Sequence, residues 1–252
     1  MGRLLDDDAS AAPVAGLTDP AAFVDDRRLV SASAGALVTL TPGEAPVSRT
    51  LGALAVVGAV GVGDTLVVSA YSGLIGGGVD EDGEPIPPTI DVDVFRVDAA
   101  ATTLLASGAG SDSVVGIADD GTAFFLSDRD GSTQVWSVGV DGGEPAPVTT
   151  AATIFGRPAV SADGTLLCWE DAAAGVLVLA DVVDGVAGEP RRLGDGVVGS
   201  DPAFAADGRV VFRRFLEVDD AVAELFVFDP ADTGVVQLTS DGAIASAPAL
   251  AR

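Results

Sequence analysis

The feature that most constrains this chain is a unit that returns every 43 or 44 residues. Asp120-Gly121 is followed by Thr122-Ala123-Phe124-Phe125-Leu126-Ser127, and Asp163-Gly164 by Thr165-Leu166-Leu167-Cys168-Trp169-Glu170. Asp207-Gly208 is followed by Arg209-Val210-Val211-Phe212-Arg213-Arg214. Short apolar segments precede the pairs, with Pro158-Ala159-Val160 and Pro202-Ala203-Phe204 in matching register. Alternating runs follow at Gln134-Val135-Trp136-Ser137-Val138, Val176-Leu177-Val178-Leu179 and Glu224-Leu225-Phe226-Val227-Phe228. Each unit closes near Val148-Thr149, Arg192-Leu193 or Gln237-Leu238-Thr239. Four short strands joined by Asp-Gly and Gly-Gly turns make an antiparallel meander. One such sheet cannot bury both faces alone, so a period in the low forties predicts blades stacked around an axis, an all-β propeller.

Two earlier units fit with more drift. Asp19-Pro20-Ala21-Ala22-Phe23-Val24-Asp25-Asp26 repeats the spacing of residues 201–208 and runs into Arg28-Leu29-Val30-Ser31, then Ala36-Leu37-Val38-Thr39-Leu40. The next unit uses residues 53–62, the Gly63-Asp64 turn and Thr65-Leu66-Val67-Val68-Ser69, with a third strand over residues 91–97. Residues 73–88, rich in Gly, Pro and acid, read as an insertion loop. The expected domain is single, over 1–252, with repeats at about 18–50, 51–107, 108–150, 151–194 and 195–240 and terminal strands at 12–18 and 244–251. Residues 12–18 resemble a closing fourth strand and Ser246-Ala247-Pro248-Ala249-Leu250 an opening one. Five blades closed within the chain are expected, six being the alternative if the terminal pieces belong to a further blade. Unpaired terminal strands would also allow self-association by strand exchange.

Composition narrows the function. With 48% hydrophobic and 20% charged residues there is material for a core, which argues against disorder. Asp and Glu number 38 against 13 basic residues, all of them Arg, for a net charge of −25. Such a chain repels phosphate backbones and anionic bilayers, so neither nucleic acid nor membrane is an expected partner. No histidine is present, which removes the usual general base and the commonest zinc ligand. The single cysteine, Cys168, rules out an internal disulfide and reads as a small buried hydrophobe. Met1-Gly2-Arg3-Leu4-Leu5-Asp6-Asp7-Asp8 lacks the apolar stretch of a signal peptide, and no apolar run is long enough to span a bilayer. As written the chain is expected to be soluble and cytoplasmic, with a mature exported form as the alternative.

The string Pro202-Ala203-Phe204-Ala205-Ala206-Asp207-Gly208-Arg209-Val210-Val211-Phe212 resembles the P-x-F-S-P-D-G-x-x-I-x-F core of WD40-like, TolB-type propeller repeats. Ser127-Asp128-Arg129-Asp130-Gly131, then Gln134-Val135-Trp136 and Asp141-Gly142-Gly143-Glu144, resembles the remainder of that repeat. Similar blades form the N-terminal propeller of prolyl-oligopeptidase-family peptidases, and Gly188-Glu189-Pro190-Arg191-Arg192-Leu193 is similar to those. The resemblance covers residues 108–250 well and 18–107 weakly. Ala162 and Ala206 replace the usual Pro, and the first two units lack the Asp-Gly pair. It implies a non-catalytic platform for a protein or peptide, or an accessory propeller that gates a serine hydrolase encoded elsewhere. The hydrolase elements themselves, a G-x-S-x-G elbow and a triad histidine, are absent from the sequence.

The candidate binding residues are few. Asp19 and Asp201 each precede a Pro at the mouth of an inner strand, and Arg157 takes the place of Asp201 in its own unit, as a charge partner across the channel mouth. Arg213 and Arg214 are adjacent cations in a chain short of them, suited to an acidic partner or to neutralising nearby acids. Asp80, Asp82 and Glu84 surround Gly83, a spacing of oxygen ligands that suits Ca²⁺, although the full EF-hand pattern is missing and a solvated acidic loop is the better account. No other cofactor is expected. Trp136 and Trp169 fall in alternating strands and read as packing between blades.

Overall fold

A computed structural model describes residues 2–5, 11–14, 21–23 and 28–240, except 34, 42, 76, 80, 82, 83, 87, 88, 100, 109, 151, 153, 217–221 and 230–233. Five antiparallel sheets form a ring, a five-bladed β-propeller. Blade 1 is Ala21–Phe23, Leu29–Ser33, Ala36–Leu40 and Val47–Arg49. Blade 2 is Ala55–Val62, Thr65–Ile75, Thr89–Val97 and Thr102–Ala106. Blade 3 is Ser113–Ile117, Thr122–Ser127, Gln134–Gly139 and Ala146–Pro147. Blade 4 is Ile154–Val160, Leu166–Asp171, Val176–Val183 and Arg191–Arg192. Blade 5 is Ser200–Phe204, Val210–Phe215, Ala223–Phe228 and Val235–Gln237.

Each blade therefore draws four strands from one contiguous stretch. Ala11–Val14 pairs with Gly2–Leu5, outside the five blades. The expected terminal strand at 244–251 lies outside the described residues. The stretch read as an insertion loop is partly regular. The second strand of blade 2 runs on to Ile75, and Gly78–Val79 pairs with Pro85–Ile86.

The Asp-Gly signal is an Asx turn. The carboxylates of Asp120, Asp163 and Asp207 accept the backbone N–H of Thr122, Thr165 and Arg209 at 2.8, 3.0 and 3.2 Å. The following glycines take φ of +85°, +72° and +83°, a conformation that costs other residues a clash with Cβ.

Alternation along each strand sends successive side chains to opposite neighbours. Phe125 packs with Val67 and Val94 of blade 2, while adjacent Phe124 packs with Leu167 and Trp169 of blade 4. Cys168, between those two, turns the other way to join Phe212, Phe226 and Phe228 of blade 5. Burial pushes its thiol well above the usual range, so it is an inert core group. Val30, Ala32 and Leu37 of blade 1 meet Val56, Val68 and Phe95 of blade 2 in the same way. Both tryptophans sit in these seams.

The four inner strands of blades 2 to 5 also share a register shift near their start, at Val56/Gly58, Val114/Gly116, Phe155/Ala159 and Ser200/Ala203. A bulge bends the strand and re-aims side chains, here where the strand enters the channel. Gly116 at one of these shifts has no room for a side chain, since a Cβ would lie 2.4 Å from Cγ1 of Val160 in the next blade. Gly116→Ala should therefore lower stability by about 1–3 kcal/mol in urea unfolding. Gly73→Ala, where nothing lies within 4 Å of the new Cβ, should shift the midpoint little. Equal midpoints for the two variants would contradict the inter-blade contact.

Candidate binding surface at the channel mouth

Antiparallel blades give the ring two unlike ends. The tight turns between first and second strands, and between third and fourth, gather at one end, here called the turn face. The second-to-third loops and the connections to the next blade gather at the other, the mouth face. Asp64, Asp119, Asp120, Asp141, Asp163, Asp184 and Asp207 all belong to the turn face. Exposed large apolar groups lie on both faces, with Val47, Val183, Val186 and Val235 at the turn face, while the exposed aromatics among the described residues are all on the mouth face. Blade 2 projects Tyr71, Leu74 and Ile90 there, and blades 4 and 5 present Phe155, Val198, Phe215 and Leu216 at 60, 56, 43 and 46% exposure.

Phe155, Val198, Phe215 and Leu216 rim a charged group built by the bulged strands. Asp201 begins the inner strand of blade 5 with φ of +51°, in the left-handed region and directly before Pro202. The other described non-glycine with positive φ, Asp184, is explained by its Asp184-Gly185 hairpin turn; Asp201 has no such turn. Its Oδ2 meets Nη2 of Arg213 at 2.7 Å, and Arg213 Nε donates to Ser200 Oγ at 3.3 Å. The Arg213 guanidinium also lies 5.0 Å from the centre of the Phe215 ring. Glu170, opposite Phe155 across blade 4, is half-buried. Burial and then the Asp201 charge raise its carboxyl above the usual range, with Arg213 opposing them.

Arg157 enters this group from the bulge of blade 4, just after Gly156 at φ +65°. Its surface is still reached by solvent, yet burial lowers its pKa, with the Asp201 charge acting in the opposite sense. Its guanidinium makes no hydrogen bond and no ion pair within 4 Å among the described residues.

The structure thus brings Arg157, Asp201 and Arg213 together. Arg214 points elsewhere, its guanidinium 5.7 Å from the centre of the Phe226 ring. Asp19, Asp80 and Asp82 lie outside the described residues, and Glu84 is exposed. Among the described residues no three His, Cys, Asp or Glu side chains converge as a metal cage. Glu170 was missed from sequence because its signal is spatial: it lies in an ordinary strand and gains its role only from the neighbouring blade.

A second ion pair is structural. Arg129 Nη2 meets Asp112 Oδ2 at 2.7 Å, its Nε donates to Ser127 Oγ at 2.8 Å, and the guanidinium stacks over Phe125 and Trp136. Asp112 is only 2% exposed, and burial raises its carboxyl above the ordinary value despite Ser127 and Arg129, with Asp93 adding to the rise. This accounts for Arg129 in the Ser-x-Arg-Asp-Gly string without any ligand.

Neither a family model nor a curated protein matches the sequence. Solved structures match the fold. A TolB-type protein from Agrobacterium tumefaciens is 18% identical at a TM-score of 0.66, covering 92% of this chain and 83% of that one. Puromycin hydrolase is 16% identical at 0.58, over 89% of this chain and 38% of that one. YCF48, solved bound to D1 peptide, is 13% identical at 0.51, over 86% of this chain and 66% of that one. The chain is a five-bladed β-propeller with the fold of TolB and of the propeller domain of puromycin hydrolase.

The Asp112–Arg129 pair makes a pH prediction. A carboxyl raised on folding is stabilising only below its unfolded value, about 3.9, and that stability fades as pH rises toward the folded value. Arg129→Met removes influences that hold Asp112 down, so the folded value rises further. At pH 7 the variant should lose about 3–5 kcal/mol in urea unfolding. It should regain part of this as pH falls through the raised folded value toward the unfolded one. Adding Asp112→Asn should restore most of the loss at pH 7, and a loss independent of pH would contradict a buried, uncompensated carboxylate.

Proposed function

We propose that this propeller is a non-catalytic platform that binds a protein or peptide on its mouth face. The exposed aromatic groups carry the reading: among the described residues Tyr71, Phe155 and Phe215 all lie on the mouth face, which has its own charged cluster. Exposed apolar groups clustered with a polar rim mark interaction surfaces more often than scattered ones do. The long arm of blade 2, carrying Tyr71, Leu74 and Ile90, extends the same surface. The likeness to YCF48, solved with a peptide, is in keeping with this use of the fold. At the mouth Asp201 is matched by Arg213, and the sequence has no histidine to act as a general base.

The reading is tested by capture from a lysate of the source organism with the wild-type chain, a Phe155→Ser/Phe215→Ser variant and a Val183→Ser variant. Val183 lies on the turn side of blade 4 and is 67% exposed. A stoichiometric protein held by wild type and Val183→Ser, but lost from the double variant, is the expected result. Retention by the double variant, or no specific protein at all, would overturn the reading. A serine hydrolase in that position would make the platform a gate, and recovery of this chain alone would point to strand exchange.

A further inference from the structure

We infer that Arg157 is a receptor for a carboxylate presented by the partner, as a peptide C-terminus or an acidic side chain next to an apolar residue. The inference rests on the mouth face being the binding surface and names the chemistry recognised there.

The argument begins with what arginines elsewhere in the ring do. Arg28 reaches Asp64, Arg96 reaches Asp98 and Asp141, and Arg129 reaches Asp112. Arg191 reaches Asp181, and Arg209 reaches Asp207. The exposed Arg49, Arg192 and Arg214 have no carboxylate within 4 Å among the described residues, whereas the half-buried Arg28, Arg96, Arg129 and Arg213 all do. Arg157 differs in being half-buried with no carboxylate inside 4 Å among the described residues. Asp201, the acid its charge interacts with, is already committed to Arg213 at 2.7 Å. A guanidinium drawn out of water without a partner is unfavourable and has five donors to offer.

Its surroundings select among anions. Asp201 and Glu170 both lie in the cluster, so a doubly charged phosphate would meet two acids beside one uncommitted cation. A single carboxylate presents less charge and matches the planar fork of the guanidinium. Phe155 and Phe215 stand exposed at the rim, where an apolar side chain beside that carboxylate would lie. The net charge of −25 does not prevent this, because charges beyond about 8–10 Å are largely screened at physiological ionic strength.

The probes are N-acetylphenylalanine and N-acetylphenylalaninamide, alike except for the charge, titrated into the full chain at pH 7. Binding is followed through the Arg157 Nε–Hε resonance, assigned with Arg157→Gln. The carboxylate should bind at least about tenfold more tightly than the amide, a difference of about 1.4 kcal/mol. Arg157→Gln should reduce the difference to less than about twofold. The same variant should unfold at the wild-type midpoint or above it, because it removes an uncompensated charge. A structural arginine would give a lower midpoint. Equal binding of the two probes, binding of neither, competition by inorganic phosphate as effective as the carboxylate, or a preference that survives Arg157→Gln would each overturn the inference. If the probes fail while the Phe155/Phe215 variant still loses its protein partner, the platform reading stands and only the carboxylate assignment falls.

Discussion

Everything in this molecule depends on apolar contact between neighbouring blades. A four-stranded sheet alternates its side chains between two faces, and in this chain both faces are apolar. Phe124 and Phe125, or Leu167 and Cys168, are adjacent in sequence and buried in different seams. No blade could cover both faces alone, so the ring is the smallest arrangement that satisfies each sheet. The same constraint explains the glycines at the tightest approaches. Gly116 admits Val160 of the next blade, and Gly199 leaves space for Phe212, which an added Cβ would meet at 2.4 Å.

With the seams apolar, the charged residues are left to the two ends, and the ends are used differently. At the turn face, aspartates cap turns, and arginines reach from one blade to the next, as Arg28 does to Asp64 and Arg96 to Asp141. These exposed pairs contribute little individually. At the mouth face, the bulges in the inner strands bring groups from adjacent blades into the channel opening. Asp201 holds a strained backbone conformation there, and Arg157 has no counter-charge within 4 Å among the described residues. Strain and unmatched charge are tolerated where the seams beneath have stability to spare, and both lie next to the exposed Phe155 and Phe215.

The fold was legible because its signals are local and repeated. The Asp-Gly turns encode both a hydrogen bond and a positive φ, and alternation encodes two buried faces, so blades 3 to 5 could be read strand by strand. Residues 73–88 were harder, since Gly and Pro suggest a loop whether they interrupt a strand or cap one. An apolar terminal strand such as 11–14 carries no mark of which edge it will join. At the candidate site, Arg157, Asp201 and Arg213 stood out by type and position. Their geometry did not, because the bulges that turn them inward depend on register. Glu170 had no local signal; its role appears only when blade 5 lies against it.

The dependence of every blade on its neighbours is tested most directly by native-state hydrogen exchange across increasing urea. Amides in the buried second and third strands, such as those of Val67, Phe124, Leu177 and Phe226, should exchange only through global unfolding, with opening free energies within about 1 kcal/mol of one another. A blade whose strands opened separately, at a free energy well below the rest, would contradict a ring held together by its seams.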